Sequence, residues 1–547
     1  MFNRIKKHVD IFQVLSIVIG LLIIIPLINI GIQVFEPRSE TWLHIRTYLL
    51  SEYIFNTVIL IIGVAIISSL FGLFLAYAVV RYDFKSKGIL RWMLILPLAL
   101  PSYIAAYVYA DMISYTGTIA RMLKMIGFEV SLNMMHMGGA IFIFVFTLFP
   151  YVYVLTMSAL VNQSASYLES ATSLGASRTK AFFTVTLPLI RPALVAGVLL
   201  TVLETLNDYG VVSYFNVRVF SFAIFNAWFN LNDISSAIRL SAYLMGIVLI
   251  IILVERALRG KKRYHMHVKT RPIKSIQIKG FKLWFVLIVA WGTLAVGFII
   301  PVLQLIWYAT LTIRQTLTIE LLYVTLNTLT ISATAAFMVV AFAIILANFN
   351  RLKPNTIKKS WLRLTNLGYA IPGAVIAIAV HVFFISLDRT LYPVYRLFNQ
   401  NTPVLVLSLS LVMLTFAYML RFMAIGYNSI ESSYDKIGKQ FTEAGYVLNS
   451  SKINALFRID MPLLKSGIIS AFILVFIDII KELPLTLILR PPNYNTLATM
   501  VYVYASDEMI QESSLAALIL IMISAVFIYI FTHSKKKGKH VYVRPIE

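Results

Sequence analysis

Long apolar runs recur along the whole chain, and they restrict its fold more than any other sequence feature. Many of them reach the ~20 residues that a helix needs to cross a hydrocarbon core about 30 Å thick. Inside such a core, helices satisfy their own backbone hydrogen bonds. Hydrophobic residues make up 59% of the 547 residues and charged residues only 13%, against roughly 25% charged residues in a soluble domain. The sequence therefore predicts an all-α, polytopic membrane protein.

The apolar runs predict about twelve transmembrane helices. Their approximate bounds are residues 11–35, 53–80, 89–110, 138–161, 188–207, 240–258, 283–310, 323–348, 361–386, 402–424, 462–480 and 512–533. The first run is too long for a signal peptide, and no small-residue cleavage site follows it. We therefore expect the first helix to be retained.

The net charge of +23 is concentrated in alternate loops. One basic loop follows the second helix and another follows the eighth, and both termini are basic. Lysine and arginine held in such loops are typical of cytoplasmic segments beside anionic lipid, which favours a membrane surface over nucleic acid as the partner. The residues are Arg4, Lys6, Lys7, Arg81, Lys85, Lys87, Arg91, Arg351, Lys353, Lys358, Lys359, Arg363, Lys535, Lys536, Lys537 and Lys539. Both termini are predicted to be cytoplasmic.

Two related halves are indicated by internal repeats. Asn56-Thr57 recurs as Asn327-Thr328, and Leu100-Pro101-Ser102 recurs as Ile371-Pro372-Gly373, both at an offset of 271 residues. We predict a first transmembrane domain at 1–258, a basic cytoplasmic linker at 259–282 and a second transmembrane domain at 283–547. Two six-helix halves related by a parallel repeat place a pathway between them.

A longer motif follows the fourth and tenth predicted helices. Glu169-Ser-Ala-Thr-Ser-Leu-Gly175 is followed nine residues later by Val185-Thr-Leu187-Pro188. Glu443-Ala-Gly-Tyr-Val-Leu-Asn449 is followed at the same spacing by Ile459-Asp-Met461-Pro462, at an offset of 274. A carboxylate suits the start of a helix, and a proline suits the start of the next one. Each motif thus predicts a short helix outside the bilayer, here called a coupling helix, before a new spanning helix.

This doubled motif resembles the EAA loop of permease subunits from binding-protein-dependent ABC importers. The resemblance implies that each coupling helix docks on a cytosolic ABC ATPase, present in two copies, in the bacterial cell membrane. The implied contact residues are Glu169, Ala171, Gly175 and Pro188 in one half and Glu443, Ala444, Asn449 and Pro462 in the other. The second copy departs from the pattern at Gly445 and Asn449, although asparagine tolerates a positive φ.

Two further segments indicate which solute is transported. Glu204-Thr-Leu-Asn-Asp208-Tyr-Gly210 ends the fifth predicted helix, and Lys481-Glu482-Leu-Pro484 with Leu497-Ala-Thr499 follows the eleventh. They resemble segments of the ferric-iron permeases, so the implied cargo is ferric iron delivered by an extracytoplasmic iron-binding protein. Relatives in the same family carry thiamine, aminoethylphosphonate or polyamines, and these alternatives stay open.

The 274 offset also aligns two pairs of acidic residues: Glu204 with Asp478 and Asp208 with Glu482. Residues four apart share one helical face, and acidic groups at membrane depth usually face a cavity or a partner. One hypothesis is a translocation pathway that includes Tyr209 and Lys481, with Tyr214 as a weaker candidate. The alternative is a structural role, either as ion pairs with Lys481 or Arg490 or as markers of helix ends.

The sequence gives no support for metal binding, nucleotide binding or catalysis. The chain has no cysteine, and His136, His265, His267 and His381 show no metal-binding spacing, so no metal site is assigned. It also contains no phosphate-binding loop. We therefore expect no enzyme activity and no bound cofactor, with ATP and Mg used by the partner ATPase. Two alternatives remain. A secondary transporter driven by an ion gradient leaves the doubled motif unexplained, and a non-transporting scaffold predicts tolerance of charge removal at the four carboxylates.

Overall fold

A computed structural model describes residues 11–35, 37, 39–127, 133–259, 275–352, 361–362 and 367–537. Several predictions lie outside these residues: the basic N-terminus, most of the linker at 259–282, His265 and His267, part of the basic loop near 353–366, and the end of the tail. Within the described residues eleven helices are long and apolar enough to span a membrane, or twelve if one bent pair counts as a span. The predicted fold class is confirmed.

The long helices follow the same order in both halves, although among the described residues the first half has eleven helices and the second nine. The first half contains α1 (Ile11–Gln33), α2 (Glu40–Arg81), α3 (Lys87–Ala99), α4 (Ser102–Ile113), α5 (Thr118–Met125), α6 (Met137–Asn162), α7 (Ala165–Ser173), α8 (Arg178–Asn207), α9 (Gly210–Tyr214), α10 (Phe220–Phe225) and α11 (Ile234–Arg259). The second half contains α12 (Phe281–Thr316), α13 (Ile319–Leu352), α14 (Gly373–Phe398), α15 (Leu411–Ile437), α16 (Gln440–Val447), α17 (Lys452–Ile480), α18 (Pro484–Leu489), α19 (Leu497–Ser506) and α20 (Ile510–Lys537). The strands β1 (Tyr82–Asp83) and β2 (Ile276–Gln277) pair in parallel.

The coupling helices are α7 and α16, and six spans separate them, so they lie on the same side of the membrane. We call this the coupling-helix side. Each coupling helix sits between two long helices, α6 and α8 in the first half and α15 and α17 in the second. The two motifs therefore hold equivalent places in the two halves.

The predicted third helix, 89–110, is wrong as a single straight helix. It divides into α3 and α4, which meet at a bend of 89°. Leu100 is extended, with φ −94° and ψ 110°, because a following proline disfavours the helical region for the residue before it. Pro372 holds the same position before α14. The predicted ninth helix, 361–386, therefore has the wrong bounds, since α14 begins at Gly373 and continues to Phe398.

The first helix of each half packs against the other half. α1 lies against α13 and α14, whereas α12 packs along α20 and reaches α4 and α6. The indole of Trp361 donates to the Ser16 carbonyl over 3.3 Å. The Tyr109 hydroxyl donates to the Val296 carbonyl over 2.6 Å. The halves are thus interlocked in space, while the division at 1–258 and 283–547 stays a prediction.

Glycines allow the spans of the first half to pack closely. A Cβ atom at Gly197 on α8 would lie 2.7 Å from Val152 Cα on α6. One at Gly72 on α2 would lie 2.6 Å from Val152 Cβ. Small residues are favoured at such contacts because lipid offers no hydrophobic force between helices, so close van der Waals packing has to hold them.

Pro188 and Pro462 do not begin new helices, contrary to the prediction. α8 and α17 already begin at Arg178 and Lys452. Each proline follows a π-turn, at Phe182–Thr186 and Leu456–Asp460. A proline removes a backbone donor from the helix, and a local π-turn is a known way to accommodate such a change. The sequence pattern therefore indicates an irregular helix where we expected a boundary.

Both coupling helices end in the same cap. Gly175 and Asn449 have positive φ values of 81° and 60°, so the bend expected of Asn449 is confirmed. The amides of Ala176 and Ser450 each bond to the carbonyl five residues earlier, both over 3.0 Å, as in a Schellman motif. Glu169 does not begin its helix, because α7 starts at Ala165, whereas Glu443 lies in the first turn of α16.

A buried ion pair fixes the second coupling helix. Arg351 at the end of α13 lies 3.1 Å from Asp460, with side chains only 8% and 2% exposed. The Thr442 hydroxyl on α16 donates to Asp460 over 2.6 Å. Arg351 also donates to the Gly438 carbonyl and lies 4.4 Å from the centre of the Tyr434 ring. These contacts join α13, α15, α16 and α17.

We predict that Asp460→Asn destabilises the chain by about 3 kcal/mol or more, because it leaves Arg351 buried without its counter-charge. The measurement is the midpoint of thermal unfolding of the purified full chain in detergent. Asp435→Asn, a change at an exposed carboxylate of α15, is the matched control and should leave the midpoint in place. An equal midpoint for both variants would contradict the role given to the ion pair.

Candidate translocation site

Two spans break off inside the protein at equivalent positions. α8 ends at Asn207 and α17 at Ile480, and the short helices α9 and α18 begin three or four residues later. Asp208 accepts a hydrogen bond from the Val211 amide over 2.8 Å. Glu482 accepts one from the Leu485 amide over 3.2 Å. Each carboxylate therefore caps the helix that follows it, as side-chain oxygens do at helix N-termini.

The four acidic residues aligned by the sequence repeat line one cavity of about 90 Å³ between the halves. Tyr151 and Arg421, near the middle of α6 and α15, form part of its wall. The cavity therefore lies deep in the bundle. Its lining is Leu98, Leu100, Pro101, Ser102, Tyr103, Thr147, Leu148, Tyr151, Glu204, Asn207, Asp208, Gly210, Arg421, Phe422, Asp478, Lys481, Glu482, Leu483 and Pro484.

Two cations share this cavity with the carboxylates. Lys481 Nζ lies 3.3 Å from Asp478 Oδ1 and donates to the Leu98 carbonyl over 3.3 Å. Arg421 Nε lies 3.3 Å from Glu482 Oε2, and both side chains are at most 5% exposed. Lys481 is thus one of the expected ion-pair partners. Arg490 instead donates to the side chain of Asn495.

Arg421 was missed by the sequence analysis, although a signal for it was present. It is the single charged residue in the predicted helix 402–424, and an ionisable residue within a membrane span usually faces the bundle interior or a cavity. It escaped notice because its counterpart in the repeat is Thr147, so it belongs to no repeated motif. Arg421 Nη1 is buried and makes no hydrogen bond within the described residues.

The wall of the cavity differs between the halves. In the first half, the hydroxyls of Ser102 and Thr147 lie 3.0 Å apart. In the second, Gly373 and Arg421 hold the equivalent positions. A Cβ atom at Gly373 would lie 2.7 Å from both Arg421 Nη1 and Glu482 Oε1, and its amide donates to Asn207 Oδ1 over 2.6 Å. Glycine is needed here because a side chain would meet the ion pair.

Tyr209 and Tyr214 lie beside the cavity and do not line it. The Tyr209 ring stacks on Phe225 with centroids 3.7 Å apart, and the Tyr502 hydroxyl donates to Tyr209 over 3.2 Å. Tyr214 packs edge-on against Tyr107 at 4.6 Å. The Tyr209–Tyr502 contact joins one half to the other beside the cavity.

No group of three or more histidine, cysteine or acidic residues is arranged to hold a metal ion among the described residues. Of the four histidines considered, two are described. His136 accepts a hydrogen bond from the Gly139 amide at the start of α6, and His381 packs edge-on against Trp228 at 5.0 Å. Both positions are explained by helix capping and packing.

The sequence model of the binding-protein-dependent transport system inner membrane component matches this chain twice, at residues 68–263 and 339–535. The chain belongs to this family. It is a two-half ABC importer permease, and the doubled match confirms the two homologous halves. Each match leaves out the first helix of its half, which is the helix that packs against the other half.

Individual relatives differ in what they carry. The chain is 27% identical to the Fe(3+)-transport system permease protein FbpB 2 of Haemophilus influenzae, across 88% of this chain and 89% of the relative. It is 33% identical to the sulfate transport system permease protein CysT of Escherichia coli, but across only 27% of this chain and 53% of that protein. The corresponding protein of Salmonella typhimurium is 32% identical over the same shares.

We predict that Glu482→Gln lowers the thermal unfolding midpoint of the full chain, because it leaves Arg421 buried without a counter-charge, at a cost of about 3–5 kcal/mol. Replacing both residues, as in Arg421→Met with Glu482→Gln, should recover most of the loss. Asp507→Asn, at an exposed carboxylate, is the control. A double variant with a lower thermal unfolding midpoint than Glu482→Gln alone would contradict this account.

Proposed function

We propose that this chain forms the membrane pathway of an ATP-driven importer of ferric iron. The observation that carries the proposal is the excess of carboxylates in the cavity between the halves, where four acidic side chains face two cations. Carboxylate oxygens are hard ligands and suit a hard cation. The likeness to the Fe(3+)-transport permease, which extends over most of both chains, supports the same cargo.

The same excess of negative charge disfavours sulfate as the cargo. A dianion entering a buried site lined by four carboxylates and two cations meets net Coulomb repulsion, which a low effective dielectric strengthens. The sulfate permeases also match this chain over about a quarter of its length. The absence of a closed set of metal ligands among the described residues fits passage of an ion, because conduction needs sites that release their occupant.

The proposed mechanism is alternating access. An iron-loaded binding protein docks on the side opposite the coupling helices, and two ATPase subunits that use ATP and Mg bind α7 and α16. Closure of the ATPases on ATP moves the coupling helices, the halves separate at the Tyr209–Tyr502 contact, and the ion enters. Hydrolysis restores the inward-facing arrangement. In this proposal both termini and the coupling helices are cytoplasmic, in the plasma membrane of a bacterium.

The cargo is tested by uptake of radioactive ferric iron, beside thiamine and a phosphonate, in cells with and without the gene. We predict selective loss of iron uptake. Glu204→Gln and Asp478→Asn should each reduce it by roughly tenfold or more, since one charge at contact distance contributes a few kcal/mol at an effective dielectric of about 20. Unchanged iron uptake with loss of another solute would overturn the cargo and keep the importer architecture.

Coupling is tested with the purified complex of permease, ATPase and binding protein. We predict that Glu169→Lys and Glu443→Lys abolish stimulation of ATP hydrolysis by the loaded binding protein, because a reversed charge on the coupling helix opposes docking. Glu40→Lys, at an exposed carboxylate at the opposite end of α2 from that side, is the control. Stimulation that persists in both coupling-helix variants would contradict the proposed contact.

A further inference from the structure

A second, larger cavity of about 780 Å³ lies on the coupling-helix side, beside α7. It is bounded by the end of α2, the coupling helix, the start of α8 and the segment that contains β2. This volume lies within the range of ligand-binding pockets.

The second half has larger and charged residues at some of the equivalent positions among the described residues. The offsets of the two repeats place Arg351, Tyr434, Thr442 and Asp460 at the positions that Val80, Leu160, Leu168 and Thr186 hold in the first half. These four second-half residues form the buried cluster that fixes α16. In the first half Val80 and Leu160 are smaller than Arg351 and Tyr434, and none of the four positions carries a charge. The buried ion pair that occupies the second half is therefore absent beside the first-half cavity.

The lining has an apolar part and a basic part. Phe74, Tyr77, Val80 and Phe182 supply an apolar floor on the spans. Arg81, Arg178, Lys279 and Lys282 supply cations toward the water, against the one acidic residue Glu169. An apolar floor under a basic rim at the membrane surface matches an acyl chain and a phosphate group, and basic pockets of this kind bind anionic lipid head groups.

We propose that this cavity is a binding site for an anionic phospholipid of the adjacent leaflet. The phosphate group contacts Arg178, Lys279 and Lys282, and an acyl chain lies over Phe74 and Phe182. A free phosphate ion would use the same cations but would leave the apolar floor uncovered. Because Leu168, Glu169 and Thr172 of α7 line the cavity, the bound lipid contacts one coupling helix and not the other.

The pairing of β1 with β2 supports this assignment. Tyr82 and Asp83 pair with Ile276 and Gln277, which holds the segment carrying Lys279 and Lys282 against the end of α2. The two lysines are exposed, so their charge is available at the rim. The cations are thus brought together by backbone hydrogen bonds between segments almost 200 residues apart in sequence.

The test uses the full chain in nanodiscs that contain photoactivatable phosphatidylglycerol or, separately, photoactivatable phosphatidylcholine. Mass spectrometry locates the labelled peptides. We expect phosphatidylglycerol to label the peptides around 74–82 and 178–186 in preference to the equivalent second-half peptides around 345–352 and 452–460. Replacing Arg178, Lys279 and Lys282 with glutamine should reduce this labelling by about fivefold for each charge removed. This binding assay does not depend on the cargo or on the ATPase.

Lys452→Gln is the matched control, because Lys452 is the counterpart of Arg178 in the repeat and lies outside the cavity lining. It should leave the labelling unchanged. Thr172→Trp, at an exposed lining position, should block the cavity without removing a charge. Equal labelling by the two lipids would overturn the proposal, as would full labelling of the triple variant. Loss of labelling to excess inorganic phosphate at constant ionic strength, without preference for phosphatidylglycerol, would instead indicate a free phosphate site.

Discussion

The architecture depends on one constraint: inside a membrane every backbone N–H and C=O group must find a partner within the protein. α8 and α17 both break off in the interior, and the breaks leave the first amides of α9 and α18 without helical partners. Asp208 and Glu482 each accept a hydrogen bond from one of these amides. The requirement for a cap thus brings a carboxylate into the membrane, and the carboxylate in turn requires a compensating cation. Arg421 meets that requirement for Glu482.

This sequence of requirements divides the four carboxylates by role. Asp208 and Glu482 each have a structural reason to be where they are, since each caps a helix. Glu204 and Asp478 lie one helical turn earlier, where the helix is continuous and needs no cap. Asp478 is held by Lys481, the residue that follows the end of α17, and both side chains are partly exposed. Each half therefore carries one carboxylate that caps a helix and a second carboxylate one turn earlier that does not.

The sequence predicted the apolar spans, the two-half repeat and the positive φ of Asn449, because each rests on local chemistry that the chain displays directly. Three other features of the structure were missed. The bend at Pro101 was hidden by a continuous apolar run. The π-turns before Pro188 and Pro462 look like helix starts in sequence. Arg421 has no repeated counterpart, and its role becomes visible only when α15 is placed beside α17.

The two long helices that follow the coupling helices connect the two sites physically. α8 extends without interruption from Arg178, beside the first coupling helix, to Asn207 in the cavity wall, and α17 extends in the same way from Lys452 to Ile480. Displacement of a coupling helix would therefore reach the carboxylates through one helical element in each half. The halves differ in how that element is held. In the second, a buried ion pair joins it to α13 and α16. In the first, the equivalent space is open to a ligand. An equal displacement at the two coupling helices would then be transmitted more directly by α17 than by α8, unless a ligand fills the first-half cavity.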